Sequence, residues 1–128
     1  MDSKTILVAI TDVFFYTKVR DALIPHGFRL EKARRQQDIA EKVSTTKPAA
    51  VILDMSERAL DPFRALETLR NDAHTKTIPV LAFVSHEEVE TWNKTKALGV
   101  TKLVSRSEFS ANTRTLVEEL LSRQAVNS

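Results

Sequence analysis

The chain has 128 residues, one domain's worth, and a domain of this size buries roughly two-thirds of its unfolded surface without needing staples. Its 42% hydrophobic and 28% charged residues make an ordinary globular mixture, and the absence of cysteine excludes disulfides and thiolate metal sites. A net charge of +2, spread along the chain, is too mild to argue nucleic-acid binding.

Apolar runs and helical patterns then alternate five times. Met1-Asp2-Ser3-Lys4 leads into Thr5–Ile10, a continuous apolar run of strand length, as expected for a strand buried on both faces. No signal-peptide layout precedes it, and no stretch has the length of a membrane span, so a cytoplasmic location is expected. Val13, Tyr16, Val19, Ala22 and Leu23 recur at helical spacing, and Pro25-His26-Gly27 ends that helix. Phe28–Lys32 reads as a second strand and Asp38–Ser44 as a second helix. Ala49–Asp54 is a third strand, opened by Pro48 and closed by an acid. Pro62–Arg70 is a helix with proline at its first turn. Ile78–Val84 is the fourth strand. Ser85-His86-Glu87-Glu88 has the pattern of a capping box, in which the Ser85 hydroxyl and the Glu88 carboxylate each bond the other's amide. The helix that follows stops at Gly99, Lys102–Val104 is the fifth strand, and a last helix spans about Ser110 to Arg123. Residues 1–123 are expected to form the domain and 124–128 a frayed tail.

Five β-then-α units imply a doubly wound α/β fold: a parallel sheet with helices on both faces. In such sheets the chemistry sits at the carboxyl ends of the strands. The residues just past Ile10, Leu53, Val84 and Val104 therefore decide the function.

Those positions, with Gly27-Phe28, Pro48…Asp54, Ile78-Pro79 and Gly99-Val100 at matching spacing, make the chain resemble the bacterial response-regulator receiver domains over essentially its whole length. The resemblance implies a flavodoxin-like (βα)5 fold with strand order 2-1-3-4-5. It also assigns roles. The phosphoacceptor aspartate matches Asp54. The two acids that hold Mg²⁺ fall on Ile10 and Thr11, and a third, occasional acid on Asp12. The hydroxyl residue ending strand four falls on Val84, the aromatic switch of strand five on Leu103, and the lysine of the following loop on Arg106, with Ser107 where proline is usual. Only Asp54 is retained in kind.

Phosphoryl transfer to a carboxylate needs the transferring charge neutralised, mostly by a metal, and Mg²⁺ asks for oxygen ligands that usually include carboxylates. Ile10 offers none and Thr11 a neutral hydroxyl. Val84 cannot bond a phosphoryl oxygen, and Leu103 cannot serve as the aromatic readout. The expectation is a pseudo-receiver, not an enzyme, without a cofactor. The alternative is an active receiver phosphorylated on Asp54 with a makeshift Mg²⁺ site. Arg106 is expected to pair with Asp54 through its guanidinium and lower the aspartate's pKa. Asp12 reads as a helix N-cap or a substitute ligand.

Phe14 and Phe15 either cover the site's mouth, form a docking patch or pack in the core. His26, His74 and His86 lie in separate turns without metal-site spacing. With only Gly27 and Gly99, the chain has neither a nucleophile elbow nor a glycine-rich phosphate loop. No output domain follows, so output is expected through a signalling protein partner or self-association. The family implies the face of helix four, strand five and helix five, where Trp92, Lys94, Lys96 and Lys102 fall. No nucleic acid or membrane partner is expected.

Overall fold

A computed structural model describes residues 4–127, with side chains to residue 122. Five parallel strands, β1 (Thr5–Ala9), β2 (Arg29–Lys32), β3 (Ala50–Asp54), β4 (Val80–Val84) and β5 (Lys102–Ser105), form one sheet. They alternate with helices α1 (Val13–Leu23), α2 (Gln36–Thr46), α3 (Pro62–Asn71), α4 (Val89–Leu98) and α5 (Arg106–Asn127). The strand order is 2-1-3-4-5, as expected from the resemblance. No helix among the described residues is long and apolar enough to cross a membrane.

The unbroken apolar runs are explained by burial on both faces. Every residue of β3 and β4 is buried. Alternate side chains enter two cores on opposite sides of the sheet. Ile6, Val8, Ile52, Leu81 and Phe83 meet α1 and α5 on one side, through Val19, Leu23, Phe109 and Val117. Leu7, Val51, Leu53, Ala82 and Val84 meet α2 and α3 on the other, through Ile39, Val43, Leu66 and Leu69. Leu69's neighbour Arg70 fastens this second layer: its guanidinium donates to the carbonyls of Gly99 (3.1 Å), Lys76 (2.8 Å) and Ile78 (3.1 Å).

Turn chemistry sets the ends. Gly27 and Gly99 take φ of 89° and 90°, which a side chain rarely adopts, and each follows a helical segment. Asp12 and Asp61 cap α1 and α3 by accepting the amides of Phe15 and Arg64, both at 3.0 Å. Asp38, expected to open α2, lies in its third position, where it accepts the amides of Arg34 and Arg35. The strands lose a residue or two to their flanking loops: Ile10, Phe28, Ala49, Ile78 and Pro79 lie just outside them.

Two sequence expectations are corrected. The capping box at Ser85–Glu88 does not form, because the Glu88 side chain bonds Ser56 and Thr91 instead of the Ser85 amide. The last helix begins at Arg106, not Ser110: the Ser105 hydroxyl accepts the Glu108 amide and starts a first helical stretch. Asn112, at φ −132° and ψ 29°, interrupts it before the longer stretch. The helix continues to Asn127, through most of the stretch expected as a tail, and Ser128 lies outside the described residues.

Candidate functional site

β1, β3 and β4 are neighbours, so the loops leaving their carboxyl ends converge. Asp54 stands in the middle, only 5% exposed. Its Oδ1 accepts the Ser56 amide at 2.9 Å. Burial pushes its carboxyl above the usual aspartate range. The Ser56 bond and the Arg106 charge oppose that shift, while Glu57 and Glu88 add to it. The expected lowering of this pKa is therefore corrected to a raising.

The expected Asp54–Arg106 ion pair is also absent. Arg106 lies over the Phe15 ring, 4.7 Å from its centroid, and its Nη2 stands 4.0 Å from Asp12 Oδ2. The ring beneath belongs to a stack: Phe15 is 5.0 Å from Phe83 and 5.7 Å from Phe109, and those two are 4.4 Å apart. A guanidinium is weakly hydrated and planar, so an aromatic face suits it. Phe15 thus packs in the core, and Phe14 points to solvent at 87% exposure.

Two carboxylates organise the corner: Glu57, which sequence reasoning passed over, and Glu88, which it read only as a capping partner. Glu57 Oε1 accepts both the amide of Thr11, at 2.9 Å, and the Thr11 hydroxyl. Its Oε2 accepts the Arg58 amide at 3.0 Å. The loop after β3 is thereby tied to the end of β1, where the resemblance places metal-holding acids. Glu88 Oε2 accepts the Ser56 hydroxyl at 2.5 Å, its Oε1 faces the Thr91 hydroxyl at 3.4 Å, and the Ser85 amide approaches Ser56 Oγ at 3.5 Å. The loops after β3 and β4 are joined as well. The available signal was a pair of acids, three residues past Asp54 and three past Ser85, beside a strand that had lost its own acids.

The donor set does not suit Mg²⁺. The Ile10 side chain is fully buried in the core, and both polar groups of Thr11 donate to Glu57. Among the described residues no three Asp, Glu, His or Cys side chains are grouped to hold a metal. Asp12 is turned to cap α1. Val84 is buried in the α2–α3 layer, and Leu103 packs against that layer half-buried.

The residues expected to bind a partner lie on α4 and at the start of β5. Trp92 packs against the α2–α3 layer, and Lys94 lies 4.3 Å over the Phe63 ring of α3. Lys96 is exposed on α4, and Lys102 begins β5, at the end of the sheet away from Asp54.

No family model matches the sequence, and no curated protein matches it. Solved structures do. A CheY-like receiver domain protein from Methanospirillum hungatei superposes with a TM-score of 0.84 at 13% identity, covering 99% of this chain and 100% of that one. The phosphorylated cyanobacterial phytochrome response regulator RcpA gives 0.83 at 16% identity, covering 95% and 96%. A response regulator receiver domain from Bermanella marisrubri gives 0.82 at 22% identity, covering 94% and 99%. These likenesses, the strand order and the placement of Asp54 lead to one conclusion: the chain has the fold of CheY-like response regulator receiver domains.

Proposed function

We propose that the chain is a pseudo-receiver: a signalling domain of the response-regulator kind that acts by protein–protein interaction without being phosphorylated. The observation that carries this reading is the Thr11–Glu57 latch. It occupies, with a neutral hydroxyl, an amide and an internal carboxylate, the corner where phosphoryl chemistry needs a divalent cation. Three further features support it. Asp54 is desolvated and has like charges for neighbours. Val84 offers a phosphoryl group no hydrogen bond. Arg106 is engaged with Phe15 and Asp12. No residue here supplies turnover chemistry, and the cytoplasm is the compartment proposed for such a module.

Intact-mass measurement after incubation with a small phosphodonor and Mg²⁺ tests the reading. The expected mass is unchanged. A gain of one phosphoryl group on the wild type, absent in Asp54→Ala, would restore the active-receiver reading.

A further inference from the structure

α2 and α3 lie over the same face of the sheet, and they do not close fully against each other. Between them runs a groove of about 380 Å³, inside the roughly 300–1,000 Å³ of small-molecule sites. Its floor is the flank of the core, formed by Ile39, Ala65 and Leu69. Ala40 on the α2 wall and Ala65 on the α3 wall are too small to fill it. Gln36 braces one end: its side-chain amide donates to the Asp61 carbonyl at 3.1 Å, and its Oε1 accepts the Asp61 amide at 2.6 Å. The starts of both helices are thereby held at a fixed spacing, so the groove belongs to the frame and not to a loose loop. An apolar floor open to water leaves dispersion contacts unmade, and a ligand that supplies them gains by it.

The lip carries a single charge. Of the residues that line the groove only Arg64 is ionised. Its guanidinium has no ion pair or hydrogen bond among the described residues. The nearby acids leave it free. Asp61 accepts the Arg64 amide with Oδ1, Asp38 serves Arg34 and Arg35, and neither Glu41 nor Glu67 lines the groove. One turn further along α3, on the same side of the helix, stands Thr68. Thr17, Thr45, Thr46, Thr95 and Thr113 each donate to the carbonyl four residues earlier. The Thr68 hydroxyl makes no such bond and is available at the lip.

We propose that this groove binds a small amphipathic carboxylate. The carboxylate meets the Arg64 guanidinium through two parallel bonds and takes a third from the Thr68 hydroxyl, while its hydrocarbon or aryl body lies on Ile39, Ala65 and Leu69. Charge complementarity selects the head group: one unpaired guanidinium suits a monoanion, and its planar fork suits a carboxylate. The apolar floor selects the rest of the molecule. The site is separate from the Asp54 corner, and it stands whichever way the phosphodonor experiment falls.

The test is a titration of the isotope-labelled full chain with decanoate, followed by amide shifts, with decanol and acetate alongside. Saturable shifts are expected in residues 36–40 and 64–69 with decanoate, with much weaker binding of decanol and none of acetate. Arg64→Gln, an exposed change whose folding the same spectrum reports, is expected to weaken decanoate at least about tenfold, the worth of charge-assisted bonds to a guanidinium. Ala40→Leu fills the groove from an exposed position and is expected to abolish binding with the melting point kept. Equal binding of decanol, unchanged affinity in Arg64→Gln, shifts centred elsewhere, or no saturation overturns the proposal. So does a wild-type dimer that Ala40→Leu dissolves, which would seat a second copy in the groove.

Discussion

Three phenylalanines rank themselves by environment, and truncating each to alanine measures what the corner of the fold is built on. Phe109 is fully buried, with Phe83 at 4.4 Å and Phe15 at 5.7 Å on its faces. Removing such a ring leaves a cavity between α5 and the sheet. Phe109→Ala is expected to cost about 3–5 kcal/mol, a figure that already contains the lost ring contacts. Unfolding entropy near 2.1 cal/mol/K per residue gives this chain about 0.27 kcal/mol per degree, so the melting point should fall by roughly 11–19 °C. Phe15→Ala should cost less, about 1–3 kcal/mol, because the ring is only half-buried, but it also removes the surface under Arg106. Phe14→Ala should change stability by no more than about 0.5 kcal/mol. Urea denaturation with a shared slope reads all three. A Phe109→Ala loss below about 1.5 kcal/mol, or a Phe14→Ala loss above about 1, would refute the assignment of the two rings to core and solvent.

Asp54→Asn keeps an acceptor for the Ser56 amide and removes a buried charge. Since Asp54's folded pKa lies above its unfolded one, the folded state holds the proton more tightly, and ionisation takes stability away as pH rises through that window. The variant should therefore melt higher than wild type at pH 7, with the gap closing as pH falls through the ordinary carboxylate range; a pH-independent gap would contradict this. Millimolar Mg²⁺ should leave the melting point unchanged, whereas a site filled at a hundred times its Kd would add about 2.7 kcal/mol; an Mg²⁺-dependent rise that vanishes in Asp54→Ala would show that the corner does bind the ion. Arg70→Met should lower the urea midpoint by the equivalent of about 1–3 kcal/mol, since three carbonyls lose their donor; an unchanged midpoint would show that water replaces it without cost.

The architecture was legible because the physics behind it is local and repeated. Runs such as Thr5–Ile10 and Ala49–Asp54 are apolar on successive residues, and only a strand covered on both faces needs that. Gly27 and Gly99 marked helix ends for the same reason they occupy them. Element ends drifted where a side chain had two possible uses. Ser105 was left outside the fifth strand, read as Lys102–Val104, yet it ends β5 and its hydroxyl caps the start of α5, six residues before the interruption at Asn112. Glu88 was read as a capping partner of Ser85, but the Ser56 hydroxyl from another loop reaches it first.

The candidate site divided along the same line. Which positions meet at the sheet edge could be read from register with a known family, and Thr11, Asp54, Val84 and Arg106 do meet there. What each side chain does was not in the register. Asp54 ends β3 and Arg106 follows β5, with β4 between them, and the guanidinium lies over Phe15 rather than beside a carboxylate already served by Ser56. Glu57 was passed over because nothing in its sequence context announces the Thr11 amide, 46 positions away, that it satisfies.

The two layers of the core give the molecule a built-in pair of optical reporters. The chain has one tryptophan and one tyrosine. Trp92 lies against the layer under α2 and α3, and Tyr16 against the layer under α1 and α5. Each face of the sheet thus carries its own fluorophore, without any label being introduced. Selective excitation of tryptophan, set against tyrosine absorbance, distinguishes a domain whose faces dissolve in one cooperative event from one whose helices peel from a surviving sheet, one side at a time.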